Sequence, residues 1–370
     1  MIHWPFNLAV SHSLANNTAT DNIVVALVDN QGRVGYGEGV PRSYVTGETA
    51  RGSLEALKRE LAPLVLGASL EPREALGWLE RRGGPELLDR CPAAACALET
   101  ALLDLAGQAL GQPVSALLSP TPPAMVTYSA VIPLLPSKML PVILEQTKAL
   151  GMSQVKIKVQ RQGAPELVAR VRQALGPEVR LRVDANGAWS AGEAVENITA
   201  MAPSRVEAVE QPVAKDDLEG LTQVTASVEP LVLADESLCN MGDARGLLER
   251  RAAGGFNLRL SKCGGPARTL ALLDLAGREG LACMLGCQVG ELSLLSAMGR
   301  HFAAVHPQLI YLEGSLTRFF MEKDLTSQNL TFGPGGQAPP LRGPGLGIKV
   351  DPAALKGSLA FTLSRGLSGV

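Results

Sequence analysis

The stretch QVKIKVQ, Gln154–Gln160, threads two lysines through a run of β-branched residues. Successive side chains of a strand face opposite ways, so Lys156 and Lys158 share one face and Val155, Ile157 and Val159 the other. The lysine face is either wet, or it lines a site that requires positive charge. Around it, from Met125 onward, short apolar segments alternate with helical ones. Candidate strands are VTYSAVIPL, QVKIKVQ, VRLRVDANG, VEAVEQPV, LVLADES, FNLRLSKCGG, ACMLGCQVG and LIYLEGS, with helical stretches such as APELVARVRQAL and ARTLALLDLAGREG between them. Strand–helix units in such a series predict a closed parallel α/β barrel rather than an open sheet.

Charged residues close four successive candidate strands: Lys158, Asp184, Glu210 and Asp235, at steps of 26, 26 and 25 residues. Each step is about one strand–loop–helix unit. The C-terminal ends of barrel strands meet at one mouth, so this period turns distant residues into neighbours. Three carboxylates gathered there repel one another, and a divalent cation relieves that repulsion. An all-oxygen set suits Mg²⁺, or Mn²⁺, better than zinc. By like-charge repulsion each lysine is expected to lower the pKa of the other, which makes Lys158 a candidate base near neutral pH. K-x-K alone is commonly a solvated face, and DAN or ADES alone a strand end or helix cap. The series in register favours a site.

The first ~120 residues read differently, as an α+β unit. NIVVALVDNQGRVGYGEG is a hairpin with an Asn-Gln-Gly turn, followed by helical stretches around Gly52–Leu66 and Ala93–Leu110. The second is apolar all round and is expected to be buried. SPTPPA, Ser119–Ala124, reads as a linker, and FGPGGQAPPLRGPGLG as an ordered return loop without the Gly-Lys-Ser/Thr of a phosphate loop. The boundaries expected are a cap over 1–122, a barrel over 123–325 and a segment returning to the cap over 326–370.

With 34 Lys and Arg against 36 Asp and Glu, the net charge of −2 leaves no electrostatic footprint for nucleic acid or an anionic membrane. No uninterrupted apolar run reaches the ~20 residues of a bilayer span. MIHWPFNLAV lacks the basic start of a signal peptide and opens inside what reads as the first cap strand. A cytoplasmic protein with reduced thiols at Cys91, Cys96, Cys239, Cys263, Cys283 and Cys287 is expected. Cys283 and Cys287 lack the second pair that a zinc site needs.

The segments VKIKV, RLRVDANGAW, VEQPV, LADES and KCGG, with GYGEG and YVTGET near the start, resemble the enolase superfamily, in its mandelate racemase/muconate-lactonising subgroup. That resemblance implies a (β/α)7β modified TIM barrel with an α+β capping domain. It implies one Mg²⁺ on Asp184, Glu210 and Asp235, with Asn186 and Glu236 behind these ligands. It implies Lys158 as acid and base, tuned by Lys156, in abstraction of the proton α to a carboxylate through a metal-stabilised enediolate.

The sixth strand departs from the pattern. Where two-base members carry a second lysine this chain has Arg259, and Lys262, three residues on, should point off the inward face. Arginine stays protonated and is a poor base, although it can hold charge over an enolate or bind a carboxylate. One-base chemistry, muconate-cycloisomerase-like or a syn-elimination, is therefore the leading expectation. The alternatives are two-base epimerisation of amino-acid derivatives or dipeptides, with Lys262 restored as base, an o-succinylbenzoate-synthase-like dehydration, and a metal-binding protein without catalysis. The resemblance places substrate contacts at GCQVGE (Gly286–Glu291), YLEGS (Tyr311–Ser315), SHSLANNT (Ser11–Thr18) and PRSYVTGET (Pro41–Thr49). Glu313 and Glu291 are expected either to pair with a cationic group of the substrate or to cap a helix, Tyr311 to contact the substrate from the same strand end, and Tyr44 to help close the lid. His12 is expected on the surface. A small carboxylate is the expected partner, and barrels of this size commonly form homo-oligomers.

Overall fold

A computed structural model describes residues 1–12, 15–134 and 136–364, with side chains at all of these except 8–12, 15 and 16. Strands Ile2–His12, Ala15–Val28 and Val34–Gly39 form an antiparallel sheet. The hairpin is where the sequence places it: Asp29 Oδ1 accepts the amides of Gln31 and Arg33 at 2.9 Å each, and Gly32 takes φ 78°. Helix Pro92–Leu110 lies against this sheet on one side and against the barrel turn Leu260–Cys263 on the other. Alternate glycines make the close approach possible, because a Cβ at Gly37 or Gly39 would land on the carbonyl of Ala97 or Ala93. This helix has 19 residues and is apolar enough by composition to cross a bilayer, yet most of it is buried inside the fold. The helix expected at Gly52–Leu66 starts at Ala50, where Thr49 Oγ1 accepts the Gly52 amide at 3.1 Å, and passes through a π turn at Leu57–Leu61.

Eight parallel strands follow in sequential order: Ala130–Ile132, Gln154–Lys158, Arg180–Asp184, Val206–Glu210, Leu231–Ala234, Gly255–Leu258, Ala282–Leu285 and Leu309–Leu312. The Ser129 amide donates to the Leu312 carbonyl at 2.8 Å and joins the eighth strand to the first. The fold is a (β/α)7β modified TIM barrel with an α+β cap. The stretch VTYSAVIPL is not one strand. Val126–Thr127 pairs with Gln337–Ala338 of the tail, and only Ala130–Ile132 enters the barrel. The Gly-rich tail is ordered by backbone bonds. Gly345 exchanges 2.9 Å bonds with Gln112 and Val114, and the Met1 ammonium donates to the Leu359 carbonyl at 2.8 Å. All six cysteines are free thiols.

One side of the mouth is held by the cap. Glu38, within GYGEG, accepts the amides of Leu292 at 2.8 Å and Leu295 at 3.0 Å, which satisfies the start of helix Ser293–Ala304. Asn22 Nδ2 donates to Glu38 at 2.6 Å and to the Gly290 carbonyl at 2.9 Å, and Arg42 Nη2 donates to the Val289 carbonyl. The loop after the seventh strand is therefore tied to the cap sheet.

Candidate active site

The inward residues at the strand ends form a ring: Lys158, Asp184, Glu210, Asp235, Arg259 and Glu313, all buried. Two residues earlier, one layer deeper, stand Lys156, Arg182, Ala208, Leu233, Asn257 and Tyr311. Lys158 Nζ lies 2.9 Å from Asp184 Oδ2 and 2.7 Å from Asn186 Oδ1. Lys156 Nζ reaches Glu313 at 2.8 Å, Asp184 at 3.2 Å and Glu210 at 3.3 Å. Arg259 Nη2 pairs with Asp235 Oδ2 and, at 3.3 Å, with Glu210 Oε1. Asn186, whose φ of 43° turns the chain at the strand end, donates through Nδ2 to Glu236 Oε1 at 3.0 Å. The three acids of the sequence series thus stand at one rim, bridged by Lys156 and Arg259.

Burial acts against every charge here, and the neighbours decide the outcome. Burial disfavours the Asp184 carboxylate, but Lys158 and Lys156 hold it well below the usual carboxylate range. Burial and then the nearby Asp184 push Glu210 up to about 7. Burial disfavours the Lys156 ammonium, but Glu210, Glu313 and Asp184 raise it above its ordinary value. The expectation that the lysine pair would depress Lys156 is therefore corrected, because three carboxylates surround it.

Arg259, not Lys262, faces the mouth. Lys262 is fully buried in the turn behind Asp235, where Nζ donates to Asp235 Oδ1 at 2.9 Å, to the Asp235 carbonyl at 2.7 Å and to the Asn257 carbonyl at 2.8 Å. Lys262 braces a carboxylate and is not placed to act as a base. Glu313 neither caps a helix nor stands free for a substrate cation. Lys156 and Arg182 both pair with it and, against its burial, draw it down to about 2. Tyr311 lies below the ring, packed with Ala208, Leu233 and Met284, and its hydroxyl donates to Glu207 at 2.8 Å. Its place two residues before Glu313 on the inward face puts it one layer too deep to touch a substrate. Glu291 does line the mouth, accepting the Gln288 amide at 2.6 Å, and burial pushes its carboxyl up to about 8. Tyr44 is half-buried beside Arg42 and off the cleft wall. Of SHSLANNT, residues 11–12 and 15–18 belong to the first two cap strands, whereas residues 13 and 14, and the side chains of Ser11, His12, Ala15 and Asn16, lie outside what the structure describes.

Four contributors were missed in the sequence. Gln211 Oε1 accepts the amides of Asp235 at 3.0 Å and Ser237 at 3.1 Å, and Asn257 Nδ2 donates to Glu210 at 2.8 Å. Arg182 grips Glu313, and Gln288 Oε1 accepts from Arg259 Nη1 at 3.1 Å. Arg182 and Asn257 carry a legible signal, since each is two residues before a ring residue, as Lys156 is before Lys158.

A family profile described as enolase C-terminal domain-like matches residues 142–354, and the mandelate racemase/muconate lactonizing enzyme N-terminal domain matches residues 1–119. The chain belongs to the enolase superfamily. Within it, the chain is 33% identical over 304 residues to the hydrophobic dipeptide epimerase of Enterococcus faecalis, covering 80% of this chain and 83% of that one. It is 32% identical to the L-Ala-D/L-Glu epimerase of Bacillus subtilis, covering 91% of each. The crystal structure of the Enterococcus faecalis V583 dipeptide epimerase complexed with Mg and the dipeptide L-Leu-L-Tyr superposes with TM-score 0.84 at 28% identity, over 94% of this chain and 97% of that one. The protein is accordingly an isomerase-type enzyme of this superfamily, and these relatives favour racemase or epimerase chemistry over a muconate-cycloisomerase-like reaction.

The donor set of this superfamily member fits a hard divalent cation. Its oxygens are buried and acidic, and beside them Glu236 Oε2 is buried without a hydrogen-bond partner among the described residues. As the side chains stand, the cations of Lys156 and Arg259 lie between the acids, and among the described residues no three His, Cys, Asp or Glu groups close on a common point. Beside the acids opens a cleft lined by Lys158, Arg259, Gln288, Glu291 and Ser296 and walled by Val131, Leu316, Phe320 and Met321.

Proposed function

We propose that the chain is a Mg²⁺-dependent racemase or epimerase of small amino-acid-derived carboxylates, removing the proton α to the carboxylate. One observation carries this reading: Lys158 of the second strand and Arg259 of the sixth line one cleft. Four strands apart in a ring of eight, they face each other across Asp184, Glu210 and Asp235. Asp184, Glu210 and Asp235 would hold the metal, which supplies positive charge to the substrate carboxylate as the α-carbon loses its proton.

The chain's own residues do the rest. Asn186 and Asp184 orient the Lys158 amine toward the cleft. Lys156 stays charged and offsets the acids around it, so that Lys158 is the lysine left to carry a proton. Inversion needs a proton from the opposite face, where Arg259 presents N–H groups.

Arg259 itself favours a second reading. Against its burial, Asp235 and Glu210 raise it still further above its ordinary value, so it keeps its charge and is a weak acid. Under one-base chemistry Lys158 both removes and returns the proton, and the product keeps its face or loses a leaving group. Incubation with L-dipeptides and N-acyl amino acids in D₂O, followed by NMR and chiral separation, decides between the two. Deuterium in both stereoisomers supports epimerisation, deuterium in the starting isomer alone supports the one-base reading, and no exchange with any such carboxylate rejects both.

A further inference from the structure

Inversion at an α-carbon needs a proton donor on the side of the cleft away from Lys158, and most ionisable groups on that wall are already engaged. Lys156 and Glu313 pair with each other at 2.8 Å, and Arg182 also holds Glu313. Against its burial, Arg259 is kept charged by Asp235 and Glu210. Burial lifts the Cys287 thiol well above its ordinary value, so it parts with its proton reluctantly. Among the described groups that line the cleft, Glu291 remains.

Glu291 stands on the wall that carries Arg259. Arg259 Nη1 donates to Gln288 Oε1 at 3.1 Å, and the Gln288 amide donates to Glu291 Oε1 at 2.6 Å. Oε2 has no hydrogen-bond partner among the described residues, and the half-buried side chain lines the cleft. Lys158 borders the same cleft from the second strand, whereas the loop of Glu291 follows the seventh, three strands away round the ring. The backbone is fixed on both sides: Thr317 Oγ1 donates to the Glu291 carbonyl at 3.0 Å, and Glu38 accepts the Leu292 amide at 2.8 Å. Burial, reinforced by Glu38 of the cap, raises the carboxyl to about 8 against the pull of the Gln288 amide, Arg259 and Arg42. Cys96 and Cys287 are the other titratable groups that share its field. Glu291 therefore holds a proton at neutral pH. Because Oε1 accepts from an amide, that proton sits on Oε2.

We propose that Glu291 is the second acid–base group of the cleft, giving the α-carbon a proton on one face as Lys158 takes one from the other. This rests on the epimerase reading above. The Cα–H bond breaks toward Lys158 Nζ, its electron pair stays with the α-carbon and the carboxylate, and a new Cα–H bond forms with the proton of Glu291 Oε2. Lys158 ends as an ammonium and Glu291 as a carboxylate. In the reverse direction Glu291 removes the proton and Lys158 supplies it, so the pair shares one proton throughout. Arg259 supplies charge on that wall and keeps its own protons.

The test follows each stereoisomer separately, on the full chain with Mg²⁺ in D₂O, with L-Ala-L-Leu, L-Ala-D-Leu and both enantiomers of N-acetylleucine as probes. Glu291→Gln keeps an acceptor for the Gln288 amide and removes the acidic proton. It is expected to lose inversion by about 10²-fold or more, together with exchange of the isomer whose α-proton faces position 291, while exchange of the other isomer falls by less than about tenfold. That surviving exchange also reports that the variant is folded. Glu291→Asp, which restores a carboxyl, is expected to recover part of the inversion. On the unaltered chain, exchange of the isomer facing Glu291 is expected to rise with pH as the carboxyl gives up its proton at about 8. Inversion as fast in Glu291→Gln as in the unaltered chain overturns the assignment alone, as does equal loss of exchange for both isomers with binding retained. Exchange of the Glu291-facing isomer that is already maximal at about pH 6 overturns it as well, whether or not the variants fold. An unaltered chain that inverts none of these probes counts against the epimerase reading, and the assignment falls with it.

Discussion

Asp235 is held by two cations at once: Lys262 Nζ sits 2.9 Å from its Oδ1, and Arg259 Nη2 bonds its Oδ2. The lysine lies behind the acid in the fully buried turn Leu260–Cys263, and the arginine in front of it on the cleft. One brace is structural and the other borders the reaction space, so their replacements should separate.

Lys262→Met leaves buried acceptors at Asp235 and Asn257 and should lower stability by about 3 kcal/mol. Urea unfolding measures this, and a loss under about 1 kcal/mol contradicts the bracing role. Arg259→Lys keeps a cation but makes it able to titrate. It should raise the share of deuterium found in the inverted stereoisomer, read by chiral separation after exchange in D₂O.

Lys158→Ala should reduce α-proton exchange by about 10³-fold, the usual scale for removing a general base. Ligand binding in Mg²⁺, followed by calorimetry, should persist. Lys156→Ala differs, because it strips the charge shared by Asp184, Glu210 and Glu313. It should lower both exchange and the thermal midpoint.

Chelation of divalent ions should abolish exchange, and Mg²⁺ should restore it while raising the thermal midpoint. Asp184→Asn, Glu210→Gln and Asp235→Asn should each erase that Mg²⁺-dependent rise. A rise that survives in all three places the ion elsewhere.

Three cap glutamates set a pH dependence. Burial pushes Glu38, Glu48 and Glu99 up to about 7 from the ordinary 4.5. The folded chain therefore keeps their protons to higher pH than the unfolded chain does. Their contribution is fully present below about 4.5 and is lost as pH rises toward 7, by up to ~3 kcal/mol for each group. Glu99→Gln should flatten the slope of unfolding free energy against pH in that window. An unchanged slope contradicts the assignment.

The barrel was legible because strand ends recur at a near-constant step and because an all-parallel sheet requires each strand to be apolar. Asp184, Glu210, Asp235 and Lys158 followed from that same register, and so did the choice of Arg259 over Lys262 for the inward face. What the sequence hid depends on layers. Tyr311 and Glu313 share a face but not a depth, and one of the two cations that pair with Glu313 comes from Arg182, 131 residues earlier. The charge state of Lys156 was misjudged for the same reason. Repulsion from one neighbouring lysine is visible in KIK, whereas attraction from acids on three other strands appears only once the ring closes. Gln211 and Gln288 sit in loops, where no periodicity marks an inward residue.

The grip of Glu38, Asn22 and Arg42 on the loop that bears Gln288 has a consequence for recombining this chain with its relatives. Cap and barrel mouth are not interchangeable modules. A chimera that grafts a foreign cap hairpin onto this barrel would leave the start of helix Ser293–Ala304 uncapped and shift the Val289 and Gly290 carbonyls, so redesign of selectivity has to exchange the two pieces together.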